Sequence, residues 1–249
     1  MLDICVFSDP EALSLKAAEI FVTLSKDNIT SKKKFVVAVS GGSTPIRLYD
    51  LLGSDQYRNQ IDWKYVHFFW VDERFVPFSH KNSNCHLVHD HLLDKISIPR
   101  ENIHSVKTDL PSPEVSAKDY EEEIKLFFCL SEGVLPQFDL ILLGIGEDGH
   151  TASLFPDSEI LQESKNLTAS INDMKHLHYR ITLTLPVINS SENVIFLVAG
   201  KKKAAVVKRV LQDKDASLPA GRVDPKKGSL IFLVDKSAGM YLDSRTKCV

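Results

Sequence analysis

The sequence predicts an α/β fold with a mainly parallel sheet flanked by helices. Two observations carry that prediction. First, five short runs are apolar almost throughout: residues 35–40 (FVVAVS), 66–71 (VHFFWV), 138–143 (FDLILL), 193–199 (NVIFLVA) and 229–234 (SLIFLV). Strands covered on both faces read this way, without the alternation of a half-exposed strand. Second, helix-length stretches separate the runs, and strands that alternate with helices build parallel sheets.

Each helix has its own signal. Residues 10–25 place Leu13, Ala17, Ile20, Phe21 and Leu24 at helical spacing, after an Asp9 cap and with Pro10 in the first turn. Residues 43–52 open with Ser-Thr-Pro and run into IRLYDLL. Residues 113–130 and 201–212 are two more helix candidates, and a first strand begins by about Ile4. No repeat, low-complexity tract or Gly/Ser linker divides the chain, so residues 1–249 read as one domain with ample length for a core.

Bulk charge excludes little but directs attention elsewhere. Thirty basic against 33 acidic residues leave a net −3, which does not point to nucleic acid or a membrane surface as the main partner. The N-terminus lacks the basic start and apolar core of a secretion signal. No run of about 18 apolar residues exists, so the expectation is a cytoplasmic protein. Cys5, Cys85, Cys129 and Cys248 are scattered with no C-x-x-C pair, which predicts free thiols rather than a zinc cage or a redox dithiol.

In parallel sheets ligands gather at the carboxyl ends of strands. Four of the five runs end in glycines or charges: 41–45 (GGSTP), 72–74 (DER), 144–150 (GIGEDGH) and 200–203 (GKKK). After the fifth, Asp235-Lys236-Ser237 is unremarkable as sequence.

In the first, Gly41 and Gly42 allow close backbone approach, and Ser43 or Thr44 is expected to cap a helix with Pro45 in its first turn. Amides and hydroxyls there suit a phosphate, although the Walker A lysine and spacing are missing. Asp72, Glu73 and Arg74 could hold a sugar hydroxyl and a phosphate, and the polar stretch Asn82-Ser83-Asn84 could reach the same place.

The G-x-G-x-x-G of residues 144–149 imitates a dinucleotide fingerprint. That site needs a long helix after the glycines and an acid about twenty residues on. Pro156 follows too soon, Glu147 and Asp148 place negative charge where a pyrophosphate would lie, and Ala169 stands at the acid's position, with Asp173 only loosely near it. His150 is better read as chemistry. An imidazole takes and returns a proton near neutrality, and an adjacent acid could orient its ring. No G-x-S-x-G elbow accompanies it. The histidines His86, His89, His91 and His176, His178 do not match H-E-x-x-H, so no metal is expected. Arg180 opens RITLTLP. Lysines 201–203 stand at a helix start, where the dipole disfavours them unless an anion is near.

Taken in order, residues 40–45, 71–77, 144–156 (GIGEDGHTASLFP), 180–186 (RITLTLP) and 200–204 (GKKKA) resemble the 6-phosphogluconolactonases. These enzymes are similar in architecture to the glucosamine-6-phosphate deaminases. The resemblance implies hydrolysis of 6-phosphoglucono-δ-lactone, a step of the oxidative pentose phosphate pathway. It implies a small-molecule sugar-phosphate substrate, no cofactor and no metal. The expected state is a monomer, with an oligomer as the alternative. By position it implies His150 as the catalytic histidine with Asp148 as its companion acid. It implies Gly41, Gly42, Ser43, Thr44, Asp72, Arg74, Arg180 and Lys203 as substrate and phosphate contacts. Which of Lys201, Lys202 and Lys203 points inward, and whether Asp148 serves His150 or the sugar, stay open at this level. Two rivals are an aminosugar-phosphate deaminase, disfavoured because residues 151–156 (TASLFP) carry no acid, and a non-catalytic sugar-phosphate sensor, disfavoured because no room precedes the first strand for a DNA-binding helix pair.

Overall fold

A computed structural model describes residues 2–172 and 178–243. Asp173, His176 and Cys248 lie outside them.

The larger sheet has seven strands: β1 (Leu2–Phe7), β2 (Phe35–Val39), β3 (Val66–Trp70), β5 (Ile103–His104), β6 (Leu140–Leu143), β9 (Asn193–Val198) and β10 (Ser229–Asp235). All the pairs are parallel, in the order β1-β10-β9-β6-β2-β3-β5. Residues of β2 and β6 are buried on both faces, as their unbroken apolar runs require. The expected strand at 138–143 starts two residues later. Asp139 joins the sheet through its side chain instead: its carboxylate accepts the Val36 N–H at 2.7 Å and pairs with Lys32.

A smaller antiparallel sheet was not foreseen. It contains β4 (Asp72–Arg74), β7 (Thr168–Ile171) and β8 (Arg180–Leu183), in the order β4-β8-β7. Residues 72–74, read from the sequence as the segment that follows a strand of the main sheet, are themselves a strand.

The helices are α1 (Pro10–Lys32), α2 (Ile46–Leu52), α3 (Asp55–Arg58), α4 (Asn84–His91), α5 (Pro113–Phe128), α6 (Leu185–Asn189) and α7 (Ala204–Leu211). Asp9 caps α1 as expected, accepting the Ala12 N–H at 2.9 Å. The helix runs seven residues past 25, through a mostly polar stretch that includes Asp27, Asn28, Thr30 and Ser31, residues of modest helix propensity. Tertiary anchoring explains this: Asn28 is buried, Lys32 pairs with Asp139 and Glu192, and only Lys33, at φ 59°, turns the chain away. Helix α5 ends where Cys129 adopts φ 51°. Lysines 201–203 form a 3-10 turn before α7 rather than the start of an α-helix.

The chain order creates one decisive feature. From β2 the chain steps outward through β3 to β5, then returns across β2 to β6 and continues outward through β9 to β10. The loops leaving β2 and β6 therefore diverge. Such a switch point opens a crevice at the carboxyl ends of the strands.

Candidate active site

A cleft of about 220 Å³ lies at that switch point. Its walls include residues 40–45 after β2, Asp72 and Arg74 of β4, Asn84 of α4, Gly146 and His150 after β6, Arg180 of β8, and Lys203. Nine of the ten residues expected at a substrate site line it. The tenth, Asp148, stands behind His150 and helps to line a neighbouring cavity with Phe155 and Leu218.

The glycines after β6 build the turn that presents His150. The Gly146 N–H donates to the His150 carbonyl at 2.8 Å, and the Gly149 N–H donates to the Gly146 carbonyl at 3.1 Å. Gly149 has φ 88°, a conformation glycine adopts readily. A Cβ on Gly146 would overlap the His150 ring and the Asp148 carboxylate. No long helix follows: residues 151–154 close a tight turn, Ala152 takes φ 51°, and the next helical piece is a 3-10 turn, Glu159–Gln162. The fingerprint is thus a turn device, not a dinucleotide cradle.

Asp148 Oδ1 accepts the His150 backbone N–H at 3.1 Å and faces ring Nδ1 at 2.6 Å. Burial pushes the Asp148 carboxyl up, but these bonds together outweigh it and hold the group below its ordinary value. The carboxylate therefore stays ionised and accepts Nδ1–H, which leaves the ring's lone pair on Nε2. For His150 itself, burial lowers the pKa more than Asp148 raises it. The imidazole is neutral at pH 7. Phe155 packs on it, with ring centroids 4.8 Å apart, and also lies beneath the Arg180 guanidinium at 5.6 Å.

Cross-strand pairing explains the arginines. Strands β4 and β8 place Arg74 directly opposite Arg180 and Asp72 opposite Thr182. Like charges in opposed positions repel unless an anion or an acid lies between them. Buried Asp72 supplies part of that charge: its Oδ2 lies 3.7 Å from Arg180 Nη1 and accepts the Ser153 hydroxyl at 2.7 Å. Arg74 Nη1 donates to the Asn82 carbonyl at 2.9 Å and to Asn84 Oδ1 at 2.7 Å, while its Nε is buried without a hydrogen-bond partner. Because successive strand residues alternate in direction, Glu73 leaves the cleft and turns to α4. Of the expected carboxylate pair, only Asp72 faces the cleft.

The remaining expectations divide. Helix α2 starts at Ile46 with no side-chain cap, so neither Ser43 nor Thr44 makes the capping bond expected of it. Of the three lysines, Lys203 is half-buried and lines the cleft, whereas Lys201 and Lys202 are exposed. Burial lowers the Lys203 pKa against the opposing pull of Glu147 and Asp148. Asp235 is not unremarkable. Buried at the end of β10, it accepts the N–H groups of Gly200 at 3.0 Å and Ala238 at 2.7 Å, which pins the loop that leads to Lys203. Among the described residues no three His, Cys, Asp or Glu groups converge as metal ligands. His86, His89 and His91 each pair with an aspartate, Asp90, Asp94 and Asp50 respectively. Cys85 and Cys129 are free thiols. No described helix is long and apolar enough to cross a membrane.

Sequence reasoning missed Ser153 and Phe155 and gave Asn84 only weak standing. The string 144–156 contains the first two, but only the fold shows that they meet Asp72 and Arg180.

Residues 8–232 match the family model described as glucosamine-6-phosphate isomerases/6-phosphogluconolactonase. The chain belongs to this family. Within the family it is 38% identical to a 6-phosphogluconolactonase from a Nostoc species, over 95% of this chain and 97% of that one. It superposes on the crystal structure of 6-phosphogluconolactonase from Thermotoga maritima with a TM-score of 0.79 and 31% identity, covering 95% of this chain and all of the other. A monomeric glucosamine-6-phosphate deaminase shares the fold at a TM-score of 0.80 but only 19% identity, covering 96% of this chain and 99% of that one. The family architecture is thus common to both chemistries, and the lactonases are the nearer of these relatives in sequence.

Proposed function

We propose that the protein hydrolyses 6-phosphoglucono-δ-lactone to 6-phosphogluconate in the oxidative pentose phosphate pathway, with His150 as general base and then general acid. The observation that carries this reading is a neutral, carboxylate-oriented histidine in a cleft that also holds Arg74, Arg180 and Lys203.

The chemistry follows from those groups. With Nδ1–H given to Asp148, Nε2 of His150 takes a proton from water as the water oxygen attacks the lactone C1. The C1–O(ring) bond then breaks, and the imidazolium returns the proton to the departing ring oxygen. The new carboxylic acid ionises in solution. The cations and the glycine loop at residues 41–44 hold the phosphate, an arrangement suited to the planar guanidinium fork. Binding a phosphate remote from C1 orients the reacting carbonyl. Asp72 sits where it can hold a sugar hydroxyl as well as Arg180. The same reading takes residues 1–249 as one catalytic unit acting as a cytoplasmic monomer without cofactor. For a monomer, the support is that every group invoked comes from one chain and lies in that cleft or, as Asp148 does, directly behind it.

The test is His150→Ala, assayed within seconds of generating the lactone and corrected for spontaneous opening. Turnover is expected to fall by about 10²–10⁴-fold, the usual loss for one general acid/base. Near-normal turnover, or release of ammonia from glucosamine 6-phosphate by the unaltered protein, would overturn the assignment.

A further inference from the structure

Glu73 stands one residue from two cleft-lining groups, yet its carboxylate is buried and faces away from the cleft. Both oxygens are fully engaged. Oε1 accepts the N–H groups of Arg74 and Asn84, each at 2.7 Å. Oε2 accepts the Cys85 N–H at 2.7 Å and the Ser83 hydroxyl at 3.1 Å. Ser83 in turn accepts the His86 N–H at 3.1 Å as the cap of α4. Glu73 and Ser83 therefore share the unsatisfied donors at the start of α4.

That helix start positions Asn84, which is fully buried. Its amide nitrogen donates to the Asp72 carbonyl at 2.8 Å and to Asp72 Oδ1 at 3.2 Å, and its amide oxygen accepts Arg74 Nη1 at 2.7 Å. The amide lies so close to Gly41 that any Cβ there would overlap it. One side chain thus locks Asp72, Arg74 and the loop after β2 in register. We infer that Glu73 is a positioning residue for substrate binding: through α4 and Asn84 it fixes the guanidinium of Arg74 in the cleft. The inference rests on the reading of Arg74 as a substrate contact.

Glu73→Gln keeps the shape but places an N–H₂ against two donors. We expect KM for the lactone, and the dissociation constant of 6-phosphogluconate measured by calorimetry, to rise about tenfold, the scale of one misplaced charge-assisted hydrogen bond. We expect kcat to stay within about threefold, since His150 lies on another loop. In an Arg74→Ala background the same change should add nothing further. An unchanged KM, a fall in kcat alone, or full additivity with Arg74→Ala overturns the inference. If Glu73→Gln does not fold, Asn84→Ala carries the test, because Glu73 acts through it, and an unchanged KM there is equally fatal. Arg74→Ala by itself reports on the site reading. If it binds 6-phosphogluconate as tightly as the unaltered protein, that reading fails first, and Glu73 is left with nothing to act through.

Discussion

The Asp148 carboxylate accepts both the backbone N–H and the ring Nδ1 of His150, the latter at 2.6 Å, and does not line the cleft itself. In the proposed mechanism the acid serves the histidine. Asp148→Asn should therefore leave KM nearly unchanged and lower kcat. An asparagine amide can present an N–H₂ to Nδ1 and favour the wrong tautomer, an effect that in a well-studied triad costs about 10⁴-fold. Here a partly exposed pair should lose roughly 10–10³-fold in initial-rate assays. A KM effect without a kcat effect would move Asp148 onto the sugar.

The pH profile follows from the direction of the His150 shift. Burial holds its pKa below the ordinary 6.5, even against Asp148. The neutral form is the base, so kcat/KM should fall as pH drops through an inflection below 6.5 and be flat around neutrality. The same sign applies to stability. Between the folded and unfolded pKa the unfolded chain binds the proton more tightly, so the protein loses stability as pH falls through that window. His67, held at about 4 by burial and then by His104 and Lys34, adds to the loss between pH 6.5 and 4. A Tm that is constant from pH 7 to 4 would contradict both.

Only one of the three consecutive lysines, Lys203, lines the cleft. Lys203→Met should raise KM by about tenfold or more, while Lys201→Met and Lys202→Met should stay within about twofold, as exposed charges contribute little. Steady-state KM values for the three variants decide this, and equal effects would mean a diffuse field rather than a contact.

Gly146→Ala should cost activity out of proportion to stability. The added methyl overlaps the His150 ring and the Asp148 carboxylate, so the pair must separate or the turn must shift. A tenfold or greater drop in kcat is expected, since small misplacements of catalytic groups are expensive. Rates paired with thermal unfolding check it, and an unaltered kcat would rule out the tight packing of the pair.

Much of the fold was legible because burial on both faces leaves a clear trace. The five apolar runs mark strands that no polar residue could occupy without a partner, and the helix cap at Asp9 is local chemistry. The string 144–156 likewise carried His150 and Asp148, whose meeting needs only a two-residue turn. What stayed hidden was whatever depends on long-range pairing. β4, β7 and β8 lack the unbroken burial of the central strands, yet their register sets Arg74 beside Arg180, residues far apart along the chain.

The sequence by itself determined the layered α/β architecture, the strand-end loops and the histidine with its acid, because these follow from periodicity and contacts within a few residues. The tertiary structure alone decided the rest. It decided that Glu73 turns away from the cleft while Asp72 enters it, that Lys203 is the lysine facing in, and that Asn84 ties two loops together. Those outcomes depend on which strand lies beside which and on how its pleat alternates, and neither is encoded in any one local stretch of residues.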